Sequence, residues 1–139
     1  MLYAEKVMIT RKNQLSPMHQ HNIKAEDIVT GGGGDLIIEL FAPNEVGSID
    51  REGDVTVLSD GQNVTLPAGG KLRLAQGQSV TLMPGIWHAF WAKKGECLVR
   101  EVSTVNDDRT DNVFEMNIGR FSTVDKDETL TRLLVSDYT

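Results

Sequence analysis

The chain has 139 residues, 40% of them hydrophobic and 24% charged, with a net charge of −6; this is the make-up of one globular domain over residues 1–139, and it excludes disorder and fibrous repeats. An acidic chain without a Lys/Arg cluster lacks the footprint of a nucleic-acid or anionic-membrane binder, so a small-molecule partner is expected. One cysteine, Cys97, excludes an internal disulfide, charges within MLYAEKVMIT exclude a signal peptide there, and no apolar run reaches membrane-spanning length, so a cytoplasmic location is expected.

Taken in chain order, turn signals recur every few residues: Ser16-Pro17, the run Gly31 to Gly34, Asp60-Gly61, Gly69-Gly70, Gly77, Pro84-Gly85 and Gly95. The glycine run is expected to be a flexible connection between strands, and no Lys-Ser/Thr follows it to make a phosphate loop. Beyond it, Leu36, Ile38 and Leu40 share one face, with Glu39 on the other. Val55-Thr56-Val57-Leu58 and Val64-Thr65-Leu66, joined by a turn carrying Asp60-Gly61, predict an antiparallel hairpin. Asn63-Val64-Thr65 in that hairpin matches a glycosylation sequon by chance, given no export signal. Leu72 and Leu74 alternate with Lys71 and Arg73, and Val80 and Leu82 alternate with Thr81, as in half-buried strands. Cys97-Leu98-Val99 predicts a core cysteine rather than a nucleophile. Many short strands at this spacing predict an all-β sandwich or barrel, ended by one short C-terminal helix over 127–134 in which Leu130, Leu133 and Leu134 share a face.

The chemistry concentrates between Met18 and Glu26. On a strand, residues two apart face the same side, so His19 and His21 point together, and after a turn at Asn22-Ile23 so do Lys24 and Glu26. The third histidine, His88, follows Pro84-Gly85 and precedes Ala89-Phe90-Trp91. Imidazoles with a carboxylate suit Mn, Fe, Zn, Ni or Co alike. Trp87, Phe90 and Trp91 flank His88, and alternation sends Phe90 inward with it; these rings are candidates for stacking on a ligand or, in preference, for core packing. Asp107, Asp108 and Asp111 are candidates either to orient the hydroxyls of a bound ligand or to cap turns.

His19, His21, Glu26 and Gly33 stand at the spacings of the first cupin motif, and Gly77, Gly85 and His88 at those of the second. The chain therefore resembles the cupin superfamily, departing from it with Asn13 at the leading glycine of the first motif and with Met83 and Ala92 at the proline and trailing asparagine of the second. The resemblance implies a single-domain antiparallel β-barrel (jelly roll) in which His19, His21, Glu26 and His88 hold a divalent metal.

Longer stretches are similar to the D-lyxose isomerase family: Tyr3-Ala4-Glu5-Lys6, Lys24-Ala25-Glu26-Asp27-Ile28, Pro84-Gly85 to Trp91, Glu101 through Asp108, and Gly119-Arg120-Phe121. Members of that family carry additional N-terminal sequence before the stretch matching Tyr3. The resemblance implies interconversion of D-lyxose and D-xylulose, with activity on D-mannose, in a cytoplasmic homodimer that uses Mn2+ or another of Zn, Co, Ni and Fe. Such a reaction moves a hydrogen between C1 and C2 through a cis-enediol and needs an acid–base pair and oxyanion stabilisation. The resemblance gives Lys24 the second role and puts the base after Arg120-Phe121, where Asp125 is favoured over Glu128. Two other readings share the ligand set: an Fe(II) dioxygenase of the cupin type and a sugar-binding cupin without catalysis.

Overall fold

The computed structural model describes residues 2–118 together with 128, 129, 131 and 132. The described residues form nine strands: β1 (Tyr3–Thr10), β2 (Leu15–His21), β3 (Glu26–Phe41), β4 (Val55–Ser59), β5 (Gln62–Leu66), β6 (Gly70–Leu74), β7 (Ser79–Leu82), β8 (Trp87–Thr104) and β9 (Asn112–Phe114). All their pairings are antiparallel, in the order β5-β4-β7-β3-β8-β2-β9, with β1 also on β8 and β6 also on β3.

The predicted hairpin is β4–β5, and its turn residues Asp60 and Gly61 both have positive φ, 49° and 77°. That is the backbone a two-residue hairpin turn demands, and Asp and Gly tolerate it. The predicted C-terminal helix is not seen. Half of 127–134, including Leu130, Leu133 and Leu134, falls outside the described residues, and Glu128, Thr131 and Arg132 lie in exposed bends rather than a helical turn.

The long strands β3 and β8 organise the sheet. The first part of β3, from Glu26, pairs with β7 and its last part with β6, whereas the last part of β8 pairs with β1 and its first part with β2. Each long strand thus serves two layers, and the sheet turns over where one layer passes into the other. The turn-over lies at register shifts between Thr30 and Gly32 and between Gly33 and Asp35. The glycine run is therefore a bulged kink inside β3 and not a connection between strands. Composition suggests a linker there, but the local demand is for missing side chains: Gly33 has φ +88°, and a Cβ on it would sit 2.2 Å from the Glu96 carbonyl oxygen.

The kink makes the site possible. His88 pairs with Leu40, at the opposite end of β3 from Glu26, and a straight strand between positions 26 and 40 would span about 46 Å. Yet His88 Nε2 lies 3.1 Å from Glu26 Oε1. Between these ends the apolar positions of both strands are buried: Ile28, Leu36, Ile38 and Leu40 pack with Val55, Val57, Leu74, Val80, Leu82, Phe90, Cys97 and Val99. Burial of each such large side chain contributes about 1.5–3 kcal/mol. Cys97 is fully buried, and burial, followed by the charge of Asp35, pushes its thiol pKa up, as suits a core residue and not a nucleophile. On the outer side Glu39 faces Lys71 at 3.7 Å, and the Lys71 ammonium lies 5.6 Å from the centre of the Trp91 ring.

Candidate active site

The alternation of β2 and β8 delivers three imidazoles to one place. His19 pairs with His88 across the strands, their ring centroids 4.2 Å apart, and His21 lies 5.2 Å from His19 and 5.7 Å from His88. Two of the rings are oriented by the backbone. His19 Nδ1 is 2.7 Å from the Pro17 carbonyl and His88 Nδ1 is 3.0 Å from that of Ile86. A carbonyl only accepts, so each Nδ1 donates its proton and each Nε2 is left with a lone pair. Burial, then the neighbouring His88, lowers the His19 pKa to about 3, which keeps that ring neutral at physiological pH.

Glu26, at the start of β3, divides its two oxygens. Oε2 takes the Lys24 ammonium at 2.7 Å, while Oε1 faces His88 Nε2 at 3.1 Å and His21 Nε2 at 3.5 Å. Burial alone would raise its pKa, but the adjoining His21 and His88 rings and the Lys24 ammonium hold the carboxyl well below the usual range. Lys24 is itself buried, between Glu26 and Glu101 Oε1 at 2.9 Å. Burial works against its charge, yet the Glu26 charge and the hydrogen bonds to both carboxylates raise its pKa above the ordinary lysine value, so it is an ammonium.

These atoms fit a divalent cation. Both nitrogens of His21 and Nε2 of His88 are buried without a hydrogen-bond partner, a costly state unless a further group completes them. One nitrogen from each of His19, His21 and His88 lies within 4.8 Å of the others. The Glu26 Oε1 separations of 3.1 and 3.5 Å are close to the donor–donor edges of about 3 Å that bonds of about 2.0–2.2 Å produce. Three imidazoles and a carboxylate suit a first-row divalent metal of intermediate softness.

The centre opens into a cavity of about 270 Å³, of a size for one monosaccharide. Phe90 and Phe114 form apolar wall, and Phe90 points inward as its alternation with His88 predicts. Lys6, from β1, reaches Glu101 at 3.2 Å and Asp108 at 3.6 Å at the rim. The motif reading missed Glu101 and Lys6 as site residues. Inward positions on β8 are even before the kink (His88, Phe90, Ala92) and odd after it (Cys97, Val99, Glu101), so alternation counted from His88 puts Glu101 outside. The continuing pattern of Cys97, Val99 and Glu101 was the signal that could have placed it.

Of the three loop aspartates, Asp107 accepts the Arg109 N–H at 2.9 Å and Asp111 caps the turn before Lys24, while Asp108 lines the cavity. Asp125 lies outside the described residues, and Glu128 is exposed. Asn13, at the motif's leading glycine, has φ 61°, a conformation that asparagine tolerates.

Solved structures that share this curled all-β fold include sugar isomerases. The L-ribose isomerase of Cellulomonas parahominis with L-ribose superposes with a TM-score of 0.63 at 23% identity, covering 88% of this chain and 63% of that one. A dTDP sugar isomerase from Desulfovibrio desulfuricans does so at 0.58 and 9% identity, covering 81% and 64%. Such identities establish the fold alone. The particular affiliation follows from sequence: the chain belongs to the D-lyxose isomerase family, whose family model matches residues 1–138. It is 46% identical to a D-lyxose/D-mannose isomerase of Serratia proteamaculans and 44% identical to one of Escherichia coli O157:H7, over 98% of this chain and 60% of each relative. The chain thus spans about three fifths of the length of these relatives.

Proposed function

We propose that residues 1–139 form a single cupin-type domain carrying the active site of an aldose–ketose isomerase, which interconverts D-lyxose with D-xylulose and D-mannose with D-fructose. The observation that carries this reading is the convergence of His19, His21, His88 and Glu26 Oε1 beside a buried Lys24–Glu101 pair, in a chain of the D-lyxose isomerase family. D-lyxose and D-mannose share their configuration from C2 to C4, the end of the sugar at which the hydrogen moves.

His19, His21, Glu26 and His88 would hold the metal, with Mn2+ favoured among Mn, Zn, Co, Ni and Fe. A divalent cation there supplies Lewis-acid polarisation of the sugar oxygens at C1 and C2. The Lys24 ammonium, fixed between two carboxylates, donates a hydrogen bond to the oxyanion that develops as the cis-enediol forms. Glu101 has Oε1 held by Lys24 and Lys6, which leaves Oε2 to take the C2 proton and return it to C1. Phe90 and Phe114 restrict water in the cavity.

Asp125 and Glu101 are the two carboxylates proposed for the base, and one comparison separates them. With Mn2+-loaded protein in D2O, Glu101→Gln should abolish deuterium incorporation at C2 of recovered aldose while Asp125→Asn keeps it; the opposite result moves the base to Asp125. The activity itself is tested by ketose formation from aldoses that differ at C2, with oxygen uptake followed in parallel. Absence of ketose from both D-lyxose and D-mannose overturns the reading, and substrate-dependent oxygen consumption replaces it with a dioxygenase. The reading includes a cytoplasmic location and a homodimer, the second supported by the exposed Tyr3, Val7 and Ile9 along one face of β1.

A further inference from the structure

The turn that carries Lys24 into the site is anchored from far along the chain. Asp111, in the loop between β8 and β9, is 2% exposed. Its Oδ1 accepts the Ile23 N–H at 2.7 Å, and its Oδ2 accepts the Lys24 N–H at 3.2 Å and the Asn106 side-chain amide at 2.8 Å. Its main-chain carbonyl accepts the Asn22 N–H at 3.2 Å. All three backbone donors between His21 and Ala25 thus end on one residue. The same Oδ2 lies 3.7 Å from His21 Nδ1, on the side of the ring away from Nε2 and Glu26.

We infer that Asp111 is a positioning residue for the metal centre, setting His21 through its ring and Lys24 through its backbone; the inference rests on the metal reading above. An imidazole binds a cation through one nitrogen while the other carries a proton, and a carboxylate beyond that proton fixes the ring and makes it the better ligand. Asp111 is the carboxylate beyond His21 Nδ1, so it favours the proton there and leaves Nε2 for the cation. A carboxylate is also required by the hydrogen bonds. An amide that keeps its oxygen toward Ile23 turns its NH2 toward Lys24 N–H and Asn106, setting donor against donor, and toward His21 Nδ1, where it favours the ring proton on Nε2. Lys24 depends on the same anchor, because the turn from which its ammonium reaches Glu26 and Glu101 is hydrogen-bonded to Asp111.

The test is Mn2+ affinity, read from the paramagnetic resonance of the free ion, for the wild type, Asp111→Asn and Asn106→Ala, with melting of each metal-free protein. Asp111→Asn should raise the Mn2+ Kd by about 10–100-fold, and kcat at saturating Mn2+ should fall further because Lys24 is displaced. Asn106→Ala removes one donor from Oδ2 without touching the turn and should raise Kd by a smaller factor, about threefold, against the tens expected for the aspartate itself. Failure of the wild type to bind Mn2+ overturns the metal reading and this inference with it. Wild-type binding with an Asp111→Asn Kd within twofold overturns the inference alone. If Asp111→Asn has no cooperative melt, an unchanged Kd in Asn106→Ala overturns it.

Discussion

Strands β3 and β8 build two interiors from one alternating pattern. In one, Leu36, Ile38 and Leu40 pack in a single apolar cluster with Phe90, Ala92 and Val99. In the other, Glu26 and Glu101 meet Lys24 and three histidines that are buried to nearly the same degree. Burial does not distinguish the two. The apolar interior is complete as it stands, whereas His21 and His88 keep nitrogens without partners and the Lys24 ammonium is shared between two carboxylates. The first interior contributes stability; the second is a polar interior with unmet hydrogen-bonding capacity, which the proposed cation would complete. The metal centre and the core should therefore respond differently to substitution.

The largest effect is expected at His88, where substitution removes a proposed metal ligand while retaining the apolar interior. His88→Ala should bind no tight divalent cation and lose isomerase activity to background, yet unfold cooperatively. One tightly bound metal per chain with normal turnover in that variant would sink the ligand assignment. Lys24→Met sharpens the division within the polar interior, since it removes the oxyanion donor without removing a ligand. It should lower kcat and kcat/KM together by about a hundredfold or more at full metal occupancy. A Lys24→Met protein with wild-type kcat would deny the residue a part in the chemical step.

Gly33 couples the two interiors, because the kink it permits brings the ends of β3 and β8 together. Alanine there meets both a φ of +88° and the Glu96 carbonyl, whereas alanine at Gly31 meets the Leu98 side chain, at 2.9 Å from its Cδ2, and no backbone. Gly33→Ala should cost about 3 kcal/mol in denaturant unfolding and Gly31→Ala less than about 1 kcal/mol. Equal costs would mean that the kink needs no glycine.

The strands, the hairpin and the His19/His21/Glu26/Lys24 group were legible because each depends on local spacing: period two along a strand, positive φ at Asp60-Gly61, and a short turn between His21 and Glu26. Glu101 was not legible as a site residue, and Asp111 only as one of three candidate aspartates, for a different physical reason. The inward parity of β8 changes across the kink, so Glu101 is out of phase with His88, and Asp111 acts on Ile23 across 88 positions of sequence. Residues 127–134 show the limit of periodicity itself. A leucine spacing of helical type in so short a segment specifies a helix only weakly, and the described residues there, 128, 129, 131 and 132, form none.

The smallest effect is expected where charge lies outside both interiors. Just past the kink, Asp35 takes Arg73 through two hydrogen bonds of 2.8 and 2.9 Å and Lys94 at 3.1 Å, with both cations largely in solvent. Chiefly Arg73, then Lys94, hold its pKa below the ordinary value near 3.8. A lowered native pKa means that the unfolded chain binds the proton first as pH falls, so the contribution of the ion pair is present above about pH 4 and is lost in more acidic solution. Asp35→Asn should therefore be slightly less stable than wild type near neutrality, with a difference that shrinks below pH 4 and at high salt. Mn2+ affinity should not change, because the pair touches neither the metal centre nor its cavity. A stability difference that stays constant from pH 7 to pH 3 would show that Asp35 acts through packing at the kink rather than through its charge, and would tie this surface group to the strand geometry that joins the two interiors.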